Sequence, residues 1–383
     1  MGEIIVKLSE LNKKLGSIMS TVGGKNVRLT ITKNDVSSMV VSAVNNAFGV
    51  YLHLYGVVNG FPMDVETDAS LLRSMLALFV PGREYTNVED SIRITKDDGL
   101  FVLKSYGNEF TLPISDLGEI DRIDDKSDLE YVDELKVKYI SYYINETAHA
   151  LESKSAACGG SDARRSSYFI EMDEQLKNIR VTTSDNYRIS QRSGPMGSVK
   201  YKFVVPGAEL KSIISMLGND DSAVFRIPKN NPILQIVGKD MVAVLPLVSS
   251  PFFDISMVTK RLDVNNTATV TVDKGMLINA CEMAGLIDNK MIFETKGDFL
   301  IVSAMNTTGT VSKTIPLEKR GKNPKKVAFS AKFMLDALKS MRAKRVDIKI
   351  EPEKGVCEIT PHMEDGSSQK PGKTLEIVTP ISI

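Results

Sequence analysis

Met63-Asp64-Val65-Glu66-Thr67-Asp68-Ala69-Ser70-Leu71, Tyr201-Lys202-Phe203-Val204-Val205-Pro206-Gly207-Ala208-Glu209-Leu210 and Lys326-Val327-Ala328-Phe329-Ser330-Ala331-Lys332-Phe333 carry one pattern three times. Each begins as a strand and passes through a residue able to cap a helix: Asp68, Gly207 or Ser330. An alanine follows each cap, and a large apolar residue stands two positions further on. The apolar helices then continue to Phe79, Leu217 and Met341. The alanines are 139 and 123 residues apart, so the repeat is the size of a domain rather than of a solenoid turn.

A second helix is expected ahead of each copy. Ser9 is positioned to cap a helix reaching Ser20, with Leu8, Leu11, Leu15, Ile18 and Met19 at helical spacing. Asp273 is placed to cap residues 274–286, after the strand at 268–272. In the middle copy Ser141 is the expected cap, after a strand at 135–139. The cap-to-alanine intervals are then 60, 67 and 58 residues. Short alternating runs between the helices, such as 27–32 and 299–303, read as antiparallel strands. Asn59-Gly60 and Asp98-Gly99 are the turn signals. The expected fold is α+β, with three repeated domains (1–127, 128–257, 258–383), each two helices on antiparallel sheet. The domain boundaries are read from the polar stretch 121–133 and from 258–266. Residues 320–326 and 364–373 read as hairpin loops inside the third domain.

Composition narrows the function classes. Cys158, Cys281 and Cys357 are odd in number and far apart, and His53, His149 and His362 are equally scattered. Neither a disulfide framework nor a metal site follows, and no cofactor is implied. No apolar run approaches the ~20 residues of a membrane span, and residues 1–7 lack a signal-peptide layout, so a cytoplasmic protein is expected. Catalytic motifs are missing: Gly23-Gly24-Lys25 is followed by Asn26 and does not make a phosphate-binding loop, and no nucleophile elbow is present. The expectation is that the chain is no enzyme and has no catalytic residues. A nuclease using scattered carboxylates and a scaffold that binds only proteins are the alternatives. The 48 Lys and Arg balance 48 Asp and Glu, which argues against a broad nucleic-acid-binding face. It leaves room for positive charge confined to one surface.

Four stretches resemble the bacterial DNA polymerase III beta sliding clamp family, in bacterial or bacteriophage-encoded form. Val22-Gly23-Gly24-Lys25 resembles the loop after the family's first helix. Phe110-Thr111-Leu112-Pro113-Ile114-Ser115-Asp116-Leu117 resembles the end of its first domain. Thr183-Ser184-Asp185-Asn186-Tyr187-Arg188-Ile189-Ser190 resembles its Ala-Thr-Asp-Gly-His-Arg-Leu-Ala signature, and Ile377-Val378-Thr379-Pro380-Ile381-Ser382-Ile383 its Val-Val-Met-Pro-Met-Arg-Leu ending. The resemblance implies a head-to-tail homodimer closing into a ring of six domains, with helices lining a hole for double-stranded DNA. It also implies that the replicative polymerase and the clamp loader dock short linear peptides in a groove between domains two and three.

Carried over by position, the groove wall comprises Ser184, Asn186, Tyr187, Arg188, Ile189, Phe253, Met257, Val258, Ile377, Val378, Thr379, Pro380, Ile381 and Ser382. Asn186-Tyr187 replaces Gly-His, and Thr379, Ile381 and Ser382 replace Met, Met and Arg, so the groove should keep its apolar character but change shape. Lys25, Arg164 and Arg165 fall where the family's loops touch DNA. Helix positions Lys13, Lys14, Arg73, Lys211, Lys332 and Lys339 face away from the apolar stripes and suit loose, sequence-independent phosphate contact. On any single helix such residues read equally as a solvated face. Met75, Phe79 and Phe110 match one side of the subunit interface and Leu286 and Ile287 the other, although all five could be core residues of their own domains.

Overall fold

The structure is a computed structural model. It describes residues 2–382 apart from 23–25, 34–36, 45–48, 61–62, 80–89, 98, 115–130, 153–162, 174–177, 196–200, 219, 229–231, 250–254, 261–267, 321–325, 351–355 and 364–372. Among the described residues the chain passes six times through strand, helix and three strands.

The first passage is β1 (Gly2–Val6), α1 (Leu8–Val22), β2 (Asn26–Lys33), β3 (Ser37–Val44) and β4 (Gly49–Tyr55), which resumes after Gly56 as β5 (Val57–Gly60). The second is β6 (Met63–Asp68), α2 (Ala69–Leu78), β7 (Ile92–Asp97), β8 (Leu100–Ser105) and β9 (Asn108–Pro113). The third is β10 (Tyr131–Lys136), α3 (Val137–Thr147), β11 (Ser167–Asp173), β12 (Asn178–Ser184) and β13 (Arg188–Pro195). The fourth is β14 (Tyr201–Pro206), α4 (Gly207–Leu217), β15 (Val224–Pro228), β16 (Ile233–Val237) and β17 (Met241–Pro246). After a short helix α5 (Ser256–Thr259) the fifth is β18 (Ala268–Asp273), α6 (Lys274–Ile287), β19 (Lys290–Lys296), β20 (Phe299–Asn306) and β21 (Gly309–Arg320). The sixth is β22 (Val327–Ser330), α7 (Ala331–Lys339), β23 (Arg345–Ile350), β24 (Cys357–Pro361) and β25 (Thr374–Val378).

The passages come in pairs that exchange their opening strands. β1 pairs with β7 and β6 with β2. Likewise β10 pairs with β15 and β14 with β11, and β18 with β23 and β22 with β19. The paired passages are the α+β repeats expected from the sequence, two helices to each. The repeats are also joined to one another: β4 pairs antiparallel with β17, and β13 with β25. The resulting sheets have five, eight and twelve strands.

The chain packs as two compact units, Met1–Tyr139 with Glu209–Leu247, and Ile140–Ala208 with Val248–Ile383. The expected second domain therefore contributes to both. Its boundary at 127 lies outside the described residues, and the one at 257 falls in α5.

Side-chain capping explains three of the described helix starts, those of α2, α6 and α7. Asp68 accepts from the Leu71 N–H at 2.7 Å, Asp273 from that of Met276 at 2.8 Å, and Ser330 from that of Phe333 at 3.3 Å. Three expected starts need correction. α1 begins at Leu8, so Ser9 lies inside its first turn; the Ser9 N–H and hydroxyl bond to Asp90, which supplies the carboxylate favoured at a helix start. α3 begins at Val137, with Ser141 inside it, because β10 ends earlier than expected. Gly207 is the first residue of α4 rather than its cap. Its N–H donates to the Ser166 carbonyl at 2.8 Å, and a side chain there would meet that oxygen at 2.6 Å.

In the second unit α6 and α7 interlock through Leu277, Ala280, Cys281 and Ala284 against Met334, Ala337 and Leu338, above Met291, Phe293 and Phe329. Burial pushes the Cys281 thiol up to about 12, and Cys357 also upward, so both behave as small apolar side chains. Cys158 lies outside the described residues.

Gly56 makes the closest approach of the described glycines in the first unit. A Cβ there would lie 2.3 Å from the Ile5 carbonyl oxygen, because the chain bends across β1 at this residue. Gly56→Ala is expected to lower stability by about 1–3 kcal/mol, read as a reduced urea midpoint at constant m-value.

Candidate functional site

The residues of the expected groove that the structure describes lie in the second unit, where β13 and β25 run side by side with Arg188 opposite Val378 and Ile189 opposite Ile377. The turn into β13 is built by Asp185. Its Oδ1 accepts the N–H groups of Tyr187 and Arg188, both at 3.0 Å, while Asn186 takes a left-handed conformation (φ 76°) that asparagine tolerates. Arg188 is buried. Its Nε donates to Asp185 Oδ2 at 2.9 Å, its Nη1 to Asp336 Oδ2 at 2.6 Å, and its guanidinium lies 4.4 Å from the Phe333 ring centre. Tyr187 is 59% exposed and stacks on the same ring at 6.3 Å.

The segment after β25 is strapped across this turn. Thr379 donates to the Tyr187 carbonyl from both its N–H and its hydroxyl, each at 2.8 Å, and the Ile381 N–H donates to the Ala328 carbonyl at 2.9 Å. Beside the strap, Ile189, Ile377 and Val356 form a small buried cluster, covered by half-buried Ile255, Val258 and Leu375.

Beneath the cluster lies an ionic network. Arg192 and Glu376 are 2% and 1% exposed, and Nη1 donates to Oε1 at 2.6 Å. Ser190 and Ser340 donate to the same oxygen at 2.8 and 3.1 Å, and His149 Nε2 sits 3.1 Å from Oε2. Arg192 Nη2 also reaches the Ser340 hydroxyl at 2.7 Å. The network ties β13 and β25 to the end of α7 and to the turn at Ala148–Ala150.

A cleft of about 590 Å³ runs between α6 and α7, lined by Met283, Leu335, Lys332, Asp336 and Lys339, with exposed Leu286 at its rim. Lys339 pairs with Glu282 at 2.8 Å. No group of three or more His, Cys, Asp or Glu able to hold a metal occurs among the described residues, and no described helix is long and apolar enough to cross a membrane.

No family model and no curated protein matches this sequence. Solved structures do match, over 100% of this chain and 100% of theirs. They include the DNA polymerase III beta chain of Streptococcus pneumoniae (TM-score 0.82, 17% identity), the DNA polymerase III beta subunit of Thermotoga maritima (0.79, 15%) and the DNA polymerase sliding clamp of Pseudomonas aeruginosa (0.81, 15%). The fold is that of the DNA polymerase III beta subunit.

On this beta-subunit fold the sequence-derived positions can be placed one by one. Ile189, Val258 and Ile377 meet in the apolar cluster, and Ser184, Asn186, Tyr187, Arg188, Thr379, Pro380, Ile381 and Ser382 form the turn and strap beside it. Val378 instead packs into the α6–α7 core, because alternate residues of a strand face opposite sides. Phe253 and the Met257 side chain lie outside the described residues. Val356, Ile255, Leu375, Phe333 and Asp336 were not expected at the groove. Of these only Leu375 carried a signal, its alternation with Ile377.

Lys13, Arg73, Arg164, Lys211, Lys332 and Lys339 are exposed. Lys14 is a correction: it does not share the outward face of Lys13 but is half-buried, bonded to the His53 carbonyl and paired with Glu10 at 3.2 Å. Arg165 is half-buried against Asn186, whose turned amide oxygen accepts from it at 2.6 and 2.8 Å. Lys25 lies outside the described residues.

Phe79 is buried with its ring 5.0 Å from that of Phe110, and Met75 and Ile287 are half-buried. Leu286 at the end of α6 is 86% exposed.

Proposed function

We propose that the chain is the subunit of a sliding clamp: a head-to-tail homodimer that encircles double-stranded DNA and tethers polymerase and clamp loader by short peptides. The reading assigns it no catalytic step. Three domains, 1–127, 128–257 and 258–383, supply half of the ring.

The observation that carries the proposal is a rule of strand pairing. The last strand of the first passage joins the last strand of the fourth, and that of the third joins that of the sixth. The second and fifth passages are left over. Among the described residues their last strands, β9 and residues 309–316 of β21, have a neighbour on one edge only. A second copy completes the series by pairing β21 of one chain with β9 of the other. Two such junctions close the assembly, which satisfies both open edges.

Apolar side chains lie near each edge. Leu286 and Ile287 stand at the end of α6, where Gly309 of β21 approaches Ile287; Phe110 lies on β9, with Leu78, exposed, and Phe79 nearby. Lys13, Arg73, Lys211, Lys332 and Lys339 are the cations proposed to meet phosphates, with Lys25, Arg164 and Arg165 contributing from loops.

Sedimentation should give twice the monomer mass. Protein loaded on closed circular DNA should stay bound until a nuclease linearises the circle. A monomer, or equal retention on linear and circular DNA, would overturn the reading, and DNA cleavage would favour the nuclease alternative.

The peptide groove is proposed at the Ile189–Ile377 cluster and the Thr379–Ser382 strap. Deleting Ile381, Ser382 and Ile383 removes the bond to Ala328. It should weaken binding of a synthetic peptide carrying Gln, Leu and Phe anchors about tenfold or more, while the dimer persists. Unchanged peptide affinity would place the groove elsewhere.

A further inference from the structure

We infer that Asp336 couples the partner groove to the DNA-facing surface of α7, so that duplex DNA tightens the groove; the inference rests on the clamp reading above. Asp336 belongs to two places at once. Its carboxylate lines the α6–α7 cleft beside Lys332 and Lys339, and it is also the second anchor of buried Arg188. Through Arg188 it holds the turn at 185–188, since the guanidinium lies on Phe333 and Tyr187 stacks on that ring. Through the Tyr187 carbonyl the turn holds Thr379 and the strap. Every link is a direct contact within one compact unit.

The sign follows from helix geometry. Lys332 precedes Asp336 by four residues, so the two side chains share a face and the ammonium can reach the carboxylate. Lys332 is exposed and makes no ion pair with the described residues, whereas Lys339 has Glu282. Without DNA, Lys332 is free to swing to Asp336 in a minor state that displaces Arg188, although the structure holds Asp336 on Arg188. A phosphate that engages Lys332 removes the competitor and leaves Asp336 wholly to Arg188. The turn then spends less time detached, and a peptide meets a groove already in its binding shape. By linkage a bound peptide strengthens the DNA contact by the same factor. Asp336 is a positioning residue, acting on the peptide site through Arg188.

The chain contains no tryptophan, so Tyr187→Trp places a single reporter on the turn. Titrating this variant with a short blunt-ended duplex should shift the tryptophan emission. The midpoint should match that of the anisotropy of the same duplex carrying a fluorophore. Adding Asp336→Asn should abolish the emission shift while the duplex still binds, and Asp336→Glu, which keeps the charge, should restore it. An emission shift that survives Asp336→Asn, or no shift with the duplex bound, overturns the coupling and leaves the clamp reading intact. A duplex that fails to bind at any concentration overturns the coupling as well, while the clamp reading is decided separately by retention on circular against linear DNA.

Discussion

Replacing Glu376 with alanine is expected to lower the unfolding free energy by about 3–5 kcal/mol, the usual cost of stranding one member of a buried ion pair. Arg192 would lose its carboxylate at 2% exposure, and Ser190 and Ser340 would lose their shared acceptor. The serine contacts cannot compensate, because hydroxyls do not neutralise a guanidinium. Arg192→Met and Glu376→Leu made together should cost much less than the same two changes made singly and added, since no charge is then left unpaired. Urea unfolding of the four proteins measures the coupling. If Glu376→Ala costs under 1 kcal/mol, the network is wetter or looser than the structure depicts.

Leu286→Asp is expected to split the dimer while leaving the fold intact. The side chain is 86% exposed in the single chain, so the substitution touches little there. In the proposed junction it would place an unpaired carboxylate in an apolar contact at a cost of several kcal/mol. That corresponds to a rise in dimer Kd on the order of a hundred- to a thousandfold. Sedimentation should then show monomer at concentrations where the parent protein is dimeric, and retention on circular DNA should vanish. An unchanged Kd would exclude Leu286 from the interface.

What could be read from the residues follows the range of the interactions concerned. The starts of α2, α6 and α7 were legible because Asp68, Asp273 and Ser330 cap N–H groups three residues away. The start of α1 was misplaced because its carboxylate comes from Asp90, far along the chain. For the same reason the exchange of opening strands was invisible: periodicity reports that a strand exists, not which strand lies beside it. At the groove, the Ile189 and Ile377 positions were found through two short motifs. The Arg188–Asp336 bond, across 148 residues, had no local signature. Lys14 misled because its helical position allows it to lie on either side of the boundary between solvent and sheet, and the His53 carbonyl draws it inward.

The pairing of β4 with β17 has a consequence for synthesis on the ribosome. The chain must be extended from Tyr55 to Met241 before the edge of β4 meets its partner. At elongation rates of about 5–20 residues per second, that is a wait on the order of 10–40 s. Throughout it, a strand containing Val50, Leu52 and Leu54 offers an open ladder to any neighbouring nascent chain. On a crowded polysome the same open edge that the finished chain closes internally is an aggregation hazard, and a cell producing this protein in quantity would gain from chaperones that shield the first sixty residues.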